Sequence, residues 1–120
     1  MDSKELGFLA ENIAARYLEG RGYEIIAKNY RKPWGEIDIV AKVGERVVFV
    51  EVKANRREFT GDFNPEVRVD YQKVNKIKRT ATLFLESELG DTDVDWQIDI
   101  VAVTFDIQGK KAKIRHFKDI

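Results

Sequence analysis

Along the chain, apolar residues recur first at helical and then at strand spacing. Leu6, Leu9, Ile13, Tyr17 and Leu18 form one helical stripe, and Asp2 followed by Glu5 resembles a capping box, so a first helix is predicted over about Ser3–Glu19. Gly20 and Gly22 bracket its end. Tyr23, Ile25 and Ala27 then alternate with Glu24, Ile26 and Lys28, which predicts a strand ending near Tyr30. Two further strands fill Gly35–Lys53 around a break at Gly44, and Val47–Val50 is apolar on both faces, as in a central, doubly covered strand.

Ala54–Val69 is polar, carries Arg56, Arg57, Gly61 and Pro65, and reads as a mobile loop. Asp70 is placed to cap a second helix with Tyr71, Val74, Ile77, Ala81, Phe84 and Leu85 on its apolar stripe. Gly90-Asp91-Thr92-Asp93 ends that helix, Trp96–Phe105 is a β-branched strand, and Asp106–Lys110 turns the chain into a charged edge strand over Lys111–Phe117. The order helix, three strands, helix, two strands predicts an α/β fold, a mixed sheet with helices against it.

The hairpin register narrows the search for chemistry. With Gly44 and Glu45 as a two-residue loop, Val43 faces Arg46, Asp38 falls opposite Glu51, and Glu36 falls opposite Lys53, all four on one face. Two opposed carboxylates repel unless something positive lies between them. Asp38 and Glu51 with the backbone carbonyl of Val52 would offer a divalent ion three oxygen ligands. Lys53 is placed to orient a water or to stabilise negative charge on a phosphodiester. Glu36 is a candidate catalytic residue which, opposite Lys53, reads as an ion-pair partner holding that lysine rather than as a metal ligand. Glu11 lies beside the apolar stripe of the first helix, where spacing favours an ordinary surface glutamate and also permits a carboxylate at the rim of the core. The residues alone fit a metal-dependent phosphodiester site and a set of structural ion pairs about equally well.

Composition limits the alternatives. A chain of 120 residues, 43% hydrophobic and 35% charged, is of a size for one domain spanning 1–120. No apolar run approaches the ~20 residues of a membrane span, and Met1–Leu6 lacks the layout of a signal peptide, so a cytoplasmic protein without membrane contact is expected. With no cysteine and His116 as the single histidine, any metal must be held by oxygen, which favours Mg²⁺ or Mn²⁺. Net charge is zero, yet Lys53–Arg79 holds eight basic residues against four acidic ones, whereas Thr80–Asp106 holds seven acidic residues and no basic one. A face with a sign is therefore expected. Arg31 and Lys32 beside Trp34, the pair Arg56 and Arg57, and Gln72, Lys73 and Lys76 on the second helix are the candidate nucleic-acid contacts. The same cations also suit a solvated surface, and Trp34 a core edge.

The frames Gly35-Glu36-Ile37-Asp38 and Val48-Phe49-Val50-Glu51-Val52-Lys53, with Gly7, Glu11, Gly22-Tyr23, Asn29-Tyr30-Arg31, Lys73, Ile77, Ala81 and Asp99, resemble the YraN-like bacterial family of uncharacterised proteins. The signature Ile37-Asp38 with Glu51-Val52-Lys53 also resembles the PD-(D/E)XK nuclease superfamily, and the YraN-like family is similar to archaeal Holliday-junction resolvases. The resemblance implies a restriction-endonuclease-like αβββαβ core and a Mg²⁺ or Mn²⁺-dependent endonuclease acting on DNA, including branched DNA. It also implies metal at Asp38 and Glu51, catalysis assisted by Lys53, an added acidic group from Glu11, and a homodimer suited to a symmetric junction. The alternative is a nucleic-acid-binding or partner-recruiting domain that keeps the fold without turnover. Two departures bear on substrate contacts: Asn55 stands where the family commonly has arginine, and Gln97-Ile98 precedes Asp99 where an arginine is common.

Overall fold

The computed structural model describes residues 2–57, 68–106 and 111–120. Helix α1 runs Ser3–Gly20, β1 Glu24–Lys32, β2 Gly35–Val43, β3 Arg46–Arg57, α2 Tyr71–Phe84, β4 Trp96–Asp106 and β5 Ala112–Phe117; a π-helical turn, Leu85–Leu89, extends α2. The five strands form one mixed sheet in the order β1-β2-β3-β4-β5, antiparallel throughout except for β3 and β4, which run parallel. A parallel neighbour cannot be reached by a hairpin, so the chain crosses over through α2.

Local chemistry accounts for the boundaries. Asp2 caps α1 by accepting the Glu5 N–H at 2.8 Å, and Asp70 caps α2 by accepting from the N–H groups of Gln72 and Lys73. Gly44, at φ +57°, makes the two-residue turn between β2 and β3, and Gly90, at φ +64°, closes the helical segment. The register that results pairs Val43 with Arg46 and continues to Ile39 with Val50, as the two-residue loop requires. Strand β3 is the middle strand, and Val47–Val50 is buried on both faces, because α1 covers one side of the sheet and α2 the other.

The two helices pack differently from their sequence stripes. On α1 the residues buried against Ile39, Ala41, Val48, Val50, Val101 and Val103 are Ala10, Ala14, Ala15 and Leu18. Leu6, Ile13 and Tyr17 flank this contact, and Leu9 is exposed. An alanine face lets the helix axis approach the sheet, so the larger side chains spread around the contact instead of filling it. On α2, Val74, Ile77, Ala81 and Phe84 pack on Val40, Val47, Phe49 and Ile98, while Tyr71, expected on the same stripe, is 72% exposed at the first helical position. Strand β3 continues through Ala54–Arg57, in register with Val103–Asp106 of β4. The first four residues of the expected loop are therefore strand; its residues 58–67, and 107–110 of the expected turn before β5, lie outside the described residues. Among the described residues no helix is long and apolar enough to cross a membrane.

Candidate metal centre

The site arises where the ladder between β2 and β3 stops. Its last pair is Ile39 with Val50. One residue further on, the Asp38 side chain takes the place of a strand carbonyl: its Oδ2 accepts the Val52 N–H at 2.8 Å. The alternation of β2 is interrupted at the same point. Ile39 and Ala41 belong to the α1-side core, but Ile37 joins Val40 in the α2-side core. On the other flank, Asn29 of β1 is held in the left-handed region at φ +52°, an uncommon conformation for any residue but glycine and one that asparagine tolerates. With its amide nitrogen turned to the carboxylates, Asn29 donates to Glu11 Oε2 at 3.3 Å and Glu36 Oε1 at 3.2 Å.

Three carboxylates meet here. One oxygen each from Glu11 of α1 and Glu36 and Asp38 of β2 lie within 4.8 Å of one another. Burial pushes the Asp38 carboxyl up to about 6; the Val52 N–H opposes the rise, and the negative charges of Glu11, Glu36 and Glu51 add to it. Glu11 is also raised, first by burial, with Asn29 opposing and Glu36 adding to the shift. Such a cluster is short of positive charge, and its donors are all oxygen. Both features suit a hard divalent ion such as Mg²⁺ or Mn²⁺ better than zinc.

Glu51, at 4% exposure, faces the α2 side, where its Oε1 is ion-paired with Lys73 Nζ. That contact holds the Lys73 ammonium above its ordinary range. The arrangement of the remaining charges differs from a single shared face. Glu36, expected opposite Lys53, instead pairs across β1 with Arg31, Nε to Oε1 at 3.3 Å. Lys53 donates to the backbone oxygen of Arg68, just before α2. The reason is geometric: strands that have parted beyond Ile39 no longer hold opposed residues together.

A cleft of about 540 Å³ opens over this region. Asp38, Glu36 and Glu51 lie on one side of it, Arg31 and Lys32 come from the end of β1 and Trp34 from the turn after it, and Gln72, Lys73 and Lys76 come from α2. The turn is pressed onto α2: a Cβ on Gly35 would stand 3.0 Å from Thr80 Oγ1, and the Arg79 guanidinium lies 4.5 Å from the Trp34 ring centroid. Lys32 is held over Tyr30, at 5.1 Å. Arg56 and Arg57 sit at the far end of β3 as strand residues.

Two features escaped the sequence reading. Asn29 was part of a family-like motif without a role; asparagine inside a strand is disfavoured, and that was its signal. The second is the set of partners of Asp99, which is fully buried on the α1 side. It accepts from Gln97 at 2.8 Å and the Asp119 N–H at 2.9 Å and contacts His116 Nε2 at 2.7 Å, while His116 Nδ1 meets the Tyr17 hydroxyl at 3.1 Å. A buried carboxylate requires such partners, but no spacing rule points to a histidine on a distant edge strand.

The architecture is a mixed α/β sheet flanked by two helices, compatible with a restriction-endonuclease-like core, with an acidic cluster where the central hairpin opens. The model of the uncharacterised protein family UPF0102 matches residues 10–103, and the chain belongs to that family. It is 38% identical over 117 residues to a UPF0102 protein of Alkaliphilus metalliredigens, covering 98% of this chain and 97% of the relative. It is 41% identical over 104 residues to one of Sulfurihydrogenibium, covering 86% and 87%, and 42% identical over 85 residues to one of Thermotoga petrophila, covering 71% of each.

Proposed function

We propose that this protein is a Mg²⁺ or Mn²⁺-dependent endonuclease acting on DNA, branched DNA included. The observation that carries the reading is the convergence of the Glu11, Glu36 and Asp38 carboxylates within 4.8 Å at the edge of a cleft whose other walls bring Arg31, Lys32, Lys73 and Lys76. Acidic groups at the centre and cations around them suit a hard metal on a polyanion. A bound ion would lower the pKa of a water and neutralise charge developing on the phosphodiester.

The chain's own groups divide the remaining work. Asp38 is oriented by the Val52 N–H, Glu11 and Glu36 by Asn29, and Glu51 lines the same cleft as Asp38 from β3. Lys73 and Lys76, one turn apart on α2, and Arg31 and Lys32 at the end of β1 would receive phosphates on either side. Lys53 takes the role of a cation near the scissile group only after leaving the Arg68 carbonyl.

One observation favours a second reading, a nucleic-acid-binding domain without turnover: Glu51 is already neutralised by Lys73. Labelled junction, flap and linear duplexes incubated with Mg²⁺, with Mn²⁺ and with chelator separate the two. Metal-dependent cutting that disappears in Asp38→Ala is the expected result. Salt-dependent binding with no cutting of any substrate establishes the second reading instead.

A further inference from the structure

The lysine that the sequence motif points to and the lysine that touches the acidic groups are different residues. Lys53, two positions beyond Glu51, is engaged with the Arg68 carbonyl, whereas Lys73 reaches Glu51 from α2. Glu51 is 5% exposed at its side chain and Lys73 is 57% exposed, so a buried anion is matched by a cation that is itself half in water. A buried carboxylate needs a countercharge, and the lysine arm is long and flexible enough to leave when another cation arrives. Lys73 also lines the cleft beside Gln72 and Lys76, so the space it would move into is where a phosphate would lie.

We propose that Lys73 is an exchangeable counter-cation: it holds Glu51 while the centre lacks metal, is released when a divalent ion takes that carboxylate, and then contacts the backbone of a bound strand. This rests on the metal-dependent reading of the site and adds to it a coupling between metal binding and nucleic-acid binding. Two consequences follow from the exchange. Metal and Lys73 compete for one carboxylate, so removing the lysine strengthens metal binding; and releasing Lys73 by any other means strengthens DNA binding without metal.

The first consequence is tested by calorimetric titration of Mn²⁺ into the wild-type protein and Lys73→Met, with Lys73→Arg as the charge-retaining control. Roughly severalfold tighter Mn²⁺ binding in Lys73→Met, with Lys73→Arg near wild type, is expected, the scale of one displaced ion pair with a half-exposed lysine. The second is tested by fluorescence anisotropy of a labelled duplex in chelator. Glu51→Gln, which frees Lys73, binds several-fold tighter than wild type, and the double variant Glu51→Gln/Lys73→Met loses that gain. The double variant also leaves no stranded carboxylate, which guards against misfolding of Lys73→Met alone. Equal or weaker Mn²⁺ affinity in Lys73→Met overturns the exchange while leaving the metal centre standing; absence of Mn²⁺ binding in both proteins overturns the metal-dependent reading, and the exchange with it.

Discussion

Replacing Asp38 by asparagine isolates the electrostatic cost built into the centre. The side chain keeps its size, and its remaining oxygen can still accept the Val52 N–H, but the charge disappears. In the folded protein the Asp38 carboxyl is raised from its ordinary 3.8 to about 6 by burial and by Glu11, Glu36 and Glu51. A carboxyl whose folded pKa is raised binds its proton more tightly in the folded state. Wild-type stability attributable to Asp38 is therefore complete below about pH 4 and falls as the pH rises to about 6. At 1.36 kcal/mol for each tenfold change in proton affinity, the loss is about 3 kcal/mol, present in full above pH 6. Asp38→Asn escapes it. Urea denaturation of both proteins from pH 4 to pH 8 in chelator measures the effect, and subtracting the curves removes every group they share. The variant is expected to gain on the wild type with rising pH and to level off above about pH 6. At a slope of roughly 1–3 kcal/mol per M the midpoint separation at pH 7 is at least ~1 M. Saturating Mn²⁺ added at pH 7 should then stabilise the wild type but not the variant. A difference curve that is flat across the pH range, or one favouring the wild type at pH 7 in chelator, refutes the claim that burial, with the neighbouring carboxylates, raises the Asp38 carboxyl.

Three other outcomes follow from the same structure. Lys53→Met removes a bond to a backbone oxygen and not the partner of a buried carboxylate, so thermal or urea unfolding should show a loss below about 1 kcal/mol. His116→Ala removes one of the three partners that Asp99 has among the described residues and should cost about 3 kcal/mol, read by urea unfolding at pH 7, with Asp99→Asn/His116→Ala recovering part of it. Gly44→Val places a β-branched residue at φ +57° in the turn that sets the hairpin register; a loss of about 1–2 kcal/mol is expected, with Gly44→Asn close to wild type in the same assay.

Much of the framework was determined by the sequence alone. The order of elements, the caps at Asp2 and Asp70, and the pairing of Val43 with Arg46 follow from periodicity, local hydrogen-bonding chemistry and turn length. These are effects between near neighbours in the chain. The same register made the hairpin carboxylates the place to look.

What only the tertiary structure decided is which charges meet. Opposition across a hairpin assumes a continuous ladder. This one ends at Ile39 and Val50, so Glu36 turned to Arg31, Lys53 to the Arg68 carbonyl, and Glu51 to Lys73. Glu11 entered the cluster because an alanine-faced helix lies close to the sheet, and Asn29 because one residue of β1 adopts a left-handed backbone. Contacts of this kind join side chains far apart in sequence, and their energies depend on desolvation, which no local pattern carries.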